Sequence, residues 1–289
     1  MVAPLRLGRR RFGERELAVM AIVNRTPDSF FDRGATFAAD AALRAVDKAV
    51  AEGADIIDIG GVKAGPGAEV DPAEEIRRTV ATVAAVRSAY PDLVVSIDTW
   101  RAEVAAEAVA AGADLVNDTW AGADPQLARV AAESGAGLVC SHAGGLAPRT
   151  RPHRVAFDDV VADVVATVTR LARHAMDLGV RPDGILIDPA HDFGKNTWHS
   201  LEVTHRLDEL VATGWPVLVA ISNKDFVGET LDLPVEERLE GTLAATAVSA
   251  WLGARVFRAH QVAATRRVLD MVAAIRGDRP PAVARRGLA

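Results

Sequence analysis

Polar side chains follow several of the short apolar runs in this 289-residue sequence. Asp98, Asn117 and Asp188 each come directly after such a run, and Lys224 follows another at a distance of three residues. Carboxylates accept hydrogen bonds, an amide both donates and accepts, and an ammonium donates. Because carboxylates and an amide suit the edge of a flat heterocycle, Asp98, Asn117 and Asp188 predict a ring-binding site.

A second group of side chains suits an anion. Arg258 and His260 follow the last apolar run, and two residues apart on an extended segment they point the same way. With Lys224 from the neighbouring run, they predict a cationic group that could hold phosphate oxygens. Asn24 follows the first run. One side of the site would bind a ring and the other an anion.

Each of these residues alone has an ordinary structural explanation. Asp98 could cap the helix that begins near Arg101, Asp188-Pro189 is a common turn pair, and His260 could simply start a helix. The functional interpretation therefore depends on the set lying at one place in the fold.

Several other chemistries have weaker support. Gly194-Lys195 lacks the glycine spacing and the following Ser or Thr of a phosphate loop. The histidines show no metal-ligand spacing. A nucleophilic role for Cys140 beside His142 is less favoured than a small buried residue at that position.

Apolar runs and helical stretches alternate along the chain. The runs are continuous rather than alternating, which is typical of parallel strands buried on both faces; they are 17–23, 55–59, 93–97, 115–116, 137–139, 185–187, 217–221 and 255–257. Ala-rich amphipathic stretches lie between them, at 38–51, 72–90, 101–111, 125–134, 157–178, 199–213, 235–252 and 262–275.

About eight such units predict an α/β fold, a closed (β/α)₈ TIM barrel formed by residues 1–289 as one domain, with 277–289 as a loose tail. In such a barrel the strand ends that carry the polar residues form the active face. The alternative is an open doubly wound sheet. It lacks support because the first run leads into Asn24 and Arg25 rather than a glycine fingerprint.

Composition limits the possible partners. The net charge of −6 gives no basic footprint for nucleic acid, and the arginines between Arg6 and Arg15 are best explained as a solvated N-terminal strand or loop. No apolar run approaches the ~20 residues of a membrane helix. With one cysteine and no signal-peptide pattern, we expect a cytoplasmic protein with a small-molecule substrate.

At several points the sequence strongly resembles the dihydropteroate synthase family. The segments in register are MAIVNRTPDSF at 20–30, GADIIDIGG at 53–61, SIDT at 96–99, ND at 117–118, DP at 188–189 with FGK at 193–195, SNKDFVG at 222–228 and RAH at 258–260. Each segment is weak alone, but together they cover residues 20 to 270 in order.

This resemblance implies a pterin-binding barrel of folate synthesis, which joins para-aminobenzoate to a dihydropterin methyl pyrophosphate. Asp98, Asn117, Asp188 and Lys224 would hold the pterin, and Asp98, Asp188 and Lys224 would be catalytic. Arg258 and His260 would hold the pyrophosphate, and Asn24 would help to place it through Mg²⁺. A homodimer is expected for the same reason.

The departures from the family pattern cluster around the second substrate, in a region that includes Lys63, Phe193 and Asp225. The family's second loop usually reads GGESTRPG, whereas residues 60–67 read GGVKAGPG. AHD at 190–192 replaces GIG, Asn223 replaces an arginine, and Gln261 replaces an aspartate. Asp225 replaces the serine that receives the aminobenzoate carboxylate.

Asp225 is expected to oppose that carboxylate. Two carboxylates ~4 Å apart repel by roughly 4 kcal/mol at an effective dielectric of 20, and Lys63 could offset part of this. The pattern is similar to a divergent actinobacterial synthase-like paralogue. It predicts weak or absent use of para-aminobenzoate, with three alternatives left open: transfer of the pterin to another amine, a pterin-binding or regulatory protein without turnover, or another barrel enzyme acting on a flat anion.

Overall fold

The computed structural model describes residues 4–26, 34, 36–150 and 156–287. Pro27 to Phe30, in the first of the family-like segments, lie outside the described residues. Eight parallel strands form one sheet: β3 (Ala18–Asn24), β4 (Ile56–Gly60), β5 (Val94–Asp98), β6 (Leu115–Asp118), β7 (Gly137–Ser141), β8 (Ile185–Asp188), β9 (Leu218–Val219) and β10 (Val256–Ala259).

The sheet closes on itself. Each strand from β3 to β8 pairs with the next along the chain, β10 lies between β9 and β3, and a parallel bridge from Ile187 to Val217 joins β8 to the start of β9. The prediction of a (β/α)₈ barrel is therefore confirmed, and the open-sheet alternative is wrong. No helix among the described residues is long and apolar enough to cross a membrane.

Helices connect the strands and cover the barrel. They are α1 (Ala39–Ala51), α2 (Pro72–Ala89), α3 (Ala102–Ala110), α4 (Leu127–Ser134), α5 (Val160–Asp177), α6 (Thr197–His205), α7 (Leu207–Val211), α8 (Asp225–Leu231), α9 (Leu239–Leu252) and α10 (Val262–Ile275). The single helix predicted over 199–213 is wrong, because Arg206 has non-helical backbone angles (φ −104°, ψ 29°) that separate α6 from α7. The short α8 was not predicted.

An N-terminal hairpin closes the end of the barrel opposite the polar strand ends. Its strands β1 (Leu5–Leu7) and β2 (Arg10–Phe12) bury Leu5, Leu7 and Phe12 in the same apolar cluster as inward residues of the barrel strands. Arg10 donates to Asp55 at 2.6 Å and to Glu16 at 2.9 Å, so it is tied to the barrel rather than fully solvated. The interior is therefore sealed at this end and a ligand must enter from the other.

Inward positions change from apolar to polar along each strand. The interior cluster contains Ile56, Val94 and Leu115, and the next inward residues on the same strands are Asp58, Ser96 and Asn117. Cys140 packs instead in the layer between barrel and helices, where burial raises the pKa of its thiol. It is a small buried residue, as the sequence favours.

Candidate functional site

A buried carboxylate, Asp58, organises the polar end of the barrel. Its Oδ1 accepts a hydrogen bond from Ser96 Oγ at 2.6 Å, and its Oδ2 accepts from Asn117 Nδ2 at 3.1 Å and from Arg258 Nε at 2.6 Å. The sequence interpretation did not single out Asp58. The signal was present, because a carboxylate in the middle of β4, between Ile57 and Ile59, must be buried and bonded.

Arg258 joins this cluster to Asp98. Its Nη2 lies 2.8 Å from Asp98 Oδ2, so one guanidinium is shared by two carboxylates. Burial raises the pKa of Asp98 to about 6, with Asp58 adding to the effect and Arg258 opposing it.

Within the predicted cationic group of Lys224, Arg258 and His260, the surroundings oppose the charge of His260. Arg258 is already balanced by Asp58 and Asp98. Burial and, to a smaller extent, the cations Arg258 and Lys224 together lower the pKa of His260 to about 3, which favours a neutral imidazole at neutral pH. Ser222 Oγ lies 3.0 Å from His260 Nδ1 and accepts from the His260 backbone N–H at 3.1 Å.

Asp188 and Lys224 form the opposite side of the cluster. Asp188 is buried at the end of β8, and its Oδ1 accepts from the Ala190 backbone N–H at 2.7 Å. Burial raises the pKa of Asp188, and the nearby Lys224 opposes this. Lys224 Nζ donates to the His191 carbonyl and lies 4.7 Å from the centre of the Phe193 ring. These groups enclose a charged, aromatic-lined corner.

Asn24 lies at the end of β3 beside β4. A Cβ at Gly60 would be 3.7 Å from Asn24 Oδ1 and 3.6 Å from Asp98 Oδ2, so the absence of a side chain at Gly60 leaves these two oxygens around one small space. Within the described part of the chain, no group of three or more His, Cys, Asp or Glu side chains could hold a metal ion. A metal here would need oxygens from a ligand or water.

The second-substrate region is built from three loops at the same end of the barrel. The Phe193 ring packs edge-on to Trp120, with 5.1 Å between centroids. Lys63 is half-buried on the loop after β4, which Arg149 holds by donating to the Gly65 carbonyl at 3.2 Å. Phe193 and Lys63 therefore lie on loops that follow different strands, β8 and β4.

Asp225 begins α8, and its charge is not isolated. Arg238 Nη1 lies 3.0 Å from Asp225 Oδ1, and the Asp225 side chain is 56% exposed. The expected repulsion of roughly 4 kcal/mol against a substrate carboxylate is too large, because Arg238 and solvent both screen this charge. Asp225 therefore disfavours the binding of an anion, but by a smaller free energy than this expected repulsion.

Two departures from the family pattern contact each other. Asn223 Nδ2 donates to Gln261 Oε1 at 3.2 Å, and Asn223 has a left-handed φ of +55°. The arginine and aspartate expected at these positions have therefore been replaced by a neutral amide pair. Sequence analysis found both changes but could not find their contact, because it depends on how β9 and β10 lie side by side.

The six side chains expected at one pocket meet at the C-terminal ends of the strands. Asn117 and Arg258 both donate to Asp58, and Arg258 also donates to Asp98. The remaining three are Asp188, which ends β8, and Lys224 and His260, which follow β9 and β10. Lys224 and Arg258 both influence the pKa values of Asp188 and His260.

Comparison with known proteins agrees with this geometry. The model of the pterin binding enzyme family matches residues 20–260. The chain belongs to this family. It is 61% identical over 286 residues to the inactive dihydropteroate synthase 2 of Mycobacterium leprae, covering 98% of each chain. It is 37% identical over 254 residues to the dihydropteroate synthase of Haemophilus influenzae, covering 88% of this chain and 92% of that one.

A solved structure gives the same result. The crystal structure of Yersinia pestis dihydropteroate synthase with a sulfonamide drug complex superposes with a TM-score of 0.90 at 32% identity, covering 96% of this chain and 100% of that one. The resemblance to the dihydropteroate synthases is confirmed. The higher identity to the Mycobacterium leprae protein also supports the similarity to a divergent paralogue.

Proposed function

We propose that this protein binds a dihydropterin methyl pyrophosphate at the open mouth of the barrel and transfers its pterin methylene group to an amine other than para-aminobenzoate. The supporting observation is the buried cluster of Asp58, Asn117, Asp98 and Arg258 facing Asp188 and Lys224. It offers acceptors and donors to a ring edge and a guanidinium to an anion. Family membership argues against a barrel enzyme of unrelated substrate class.

The proposed chemistry is a displacement at the methylene carbon. The carbon–oxygen bond breaks and its electron pair leaves with pyrophosphate, while the amine nitrogen bonds to carbon and loses a proton. Asp98, Asn117, Asp188 and Lys224 would hold the pterin, with an ionised Asp188 stabilising positive charge on the ring. Arg258 and His260 would hold the pyrophosphate, whose charge would favour protonation of His260.

Asn24 would hold Mg²⁺ together with oxygens of the pyrophosphate and water. Asn24 offers one amide oxygen beside Asp98, and Mg²⁺ is commonly held by one or two protein oxygens together with phosphate oxygens and water. The metal would supply positive charge next to the leaving group. The protein's part would be to orient that group through Asn24.

A second candidate is a pterin-binding protein without turnover, favoured by the similarity to a Mycobacterium leprae protein whose name describes it as inactive. Pyrophosphate release with para-aminobenzoate, para-aminobenzamide and aniline separates the two. We expect a neutral amine to support release at least about tenfold faster than para-aminobenzoate, a difference of about 1.4 kcal/mol. No release above the amine-free control with any amine would favour the non-catalytic protein.

We also propose that the protein is a cytoplasmic homodimer. Trp251 on α9 is 59% exposed and Met271 on the adjacent α10 is 61% exposed, with Val248 and Ile275 exposed on the same two helices. Such a patch suits a symmetric contact between two copies. The one buried cysteine suits a reducing compartment.

A further inference from the structure

Asp192 places a carboxylate inside the second-substrate region. Its Oδ1 accepts from Ser200 Oγ at 3.1 Å, and its Oδ2 accepts from the Phe226 backbone N–H at 3.3 Å. The Ser200 hydroxyl oxygen in turn accepts from the Asp192 backbone N–H at 3.2 Å. The carboxylate thus links α6 to the start of α8, immediately before Phe193 in the chain.

The backbone at this position is strained for an aspartate. Asp192 has φ +67° and Ala190 has φ +50°, in the left-handed region that glycine adopts without cost. The family pattern has glycine at both positions. Asp192 is therefore an ionisable residue at a position where the backbone conformation favours glycine.

Asp192 also influences the pKa values of two lysines. Burial lowers the pKa of Lys224, and Asp192 opposes that lowering more strongly than Asp188 does. Lys195, which is buried behind Phe193, is also within the field of Asp192. Asp192 therefore adds negative charge, together with Asp188, to the corner in which Lys224 and Lys195 lie.

Asp225 differs from Asp192 in both respects. It is exposed and paired with Arg238, whereas Asp192 is mostly buried; this burial raises the pKa of the Asp192 carboxyl, and Lys224 opposes the rise. Like charges interact more strongly where water is excluded. Of the two carboxylates, Asp192 therefore has the larger effect on an incoming anion.

We propose that Asp192 is a specificity-determining residue whose carboxylate takes the place of an anionic group on the second substrate. It thereby excludes amines that carry a carboxylate and admits neutral ones. The inference rests on the proposed function, because it concerns the amine that would meet the bound pterin pyrophosphate. It adds the chemical class of that amine and the residue that selects it.

The test compares para-aminobenzoate with para-aminobenzamide, which has nearly the same shape and no charge. Asp192→Asn keeps an acceptor for Phe226 and tolerates positive φ, and Asp192→Gly restores the unstrained backbone. Asp225→Asn is the matched control, because it removes a neighbouring charge of the same type. Affinities are measured by calorimetry with and without saturating dihydropterin pyrophosphate.

We expect Asp192→Asn and Asp192→Gly to strengthen binding of para-aminobenzoate at least about tenfold and to change binding of para-aminobenzamide by less than about twofold. Asp225→Asn is expected to change the affinity for either compound by less than about threefold. An unchanged benzoate-to-benzamide ratio in both Asp192 variants would overturn the inference, as would a larger gain from Asp225→Asn. Failure of the unmodified protein to bind dihydropterin pyrophosphate would instead overturn the proposed function. The two failures can be distinguished because the benzoate-to-benzamide ratio is also measured in the absence of dihydropterin pyrophosphate.

Discussion

Asp188→Ala is expected to weaken binding of a dihydropterin that lacks the pyrophosphate by at least about a hundredfold, or about 2.7 kcal/mol. Asp188 is buried beside Lys224, so its removal takes away both a ring contact and the counter-charge of that lysine. Binding of inorganic pyrophosphate should change by less than about threefold, because that anion would contact Arg258 and His260 instead.

Arg258→Ala is the complementary change and should show the reverse order, with the loss concentrated on pyrophosphate. Because this variant leaves Asp58 and Asp98 without their shared cation, its thermal unfolding is measured in parallel, and Arg258→Lys provides a variant that keeps the charge. Equal losses of both ligands in Asp188→Ala and in a folded Arg258 variant would contradict the division into a ring side and an anion side.

The second large effect concerns turnover with para-aminobenzoate. Dihydropteroate formation by the unmodified protein is expected to be at least about a hundredfold below the ~1 s⁻¹ at the low end of ordinary enzymes. The second loop has Ala64 and Gly65 in place of a hydroxyl and a guanidinium, and Asp192 and Asp225 add negative charge near the carboxylate. Product formation and pyrophosphate release are followed together.

Restoring the second substrate's contacts should be cooperative. Asp225→Ser alone is expected to raise the rate of dihydropteroate formation at most about threefold, because Arg238 already screens the Asp225 charge. Ala64→Thr and Gly65→Arg with Asp225→Ser should raise the rate by more than the product of the separate effects, since the new groups would surround one substrate. A rate near ~1 s⁻¹ in the unmodified protein would contradict the account of the divergent region.

The barrel could be predicted because its signals are local. Each buried strand is a continuous apolar run, and α10 has the same bounds, residues 262–275, in the prediction and in the structure. The strand predicted over 217–221 is shorter, Leu218–Val219, because the chain turns towards Asn223 with its positive φ. The N-terminal hairpin cannot be predicted from the sequence in this way, because its packing against the end of the barrel depends on contacts with distant strands.

Only part of the site can be predicted from the sequence. Residues that follow a strand, such as Asp98 and Asp188, were identified because barrel strand ends converge. The sequence carries a signal for the burial of Asp58, but its contact with Arg258, 200 residues away, depends on both side chains facing inward. The neutral state of His260 also depends on burial among cations that only the folded chain brings together.

The central claim is that this protein keeps the site for dihydropterin pyrophosphate. Calorimetric titration of the unmodified protein with that compound, with and without Mg²⁺, tests it most directly. We expect saturable binding to one site per chain with a Kd of about 1 µM or below, weakened when Mg²⁺ is removed and weakened by at least about a hundredfold in Asp188→Ala. Absence of binding at about 1 mM ligand, both with and without Mg²⁺, would contradict the claim.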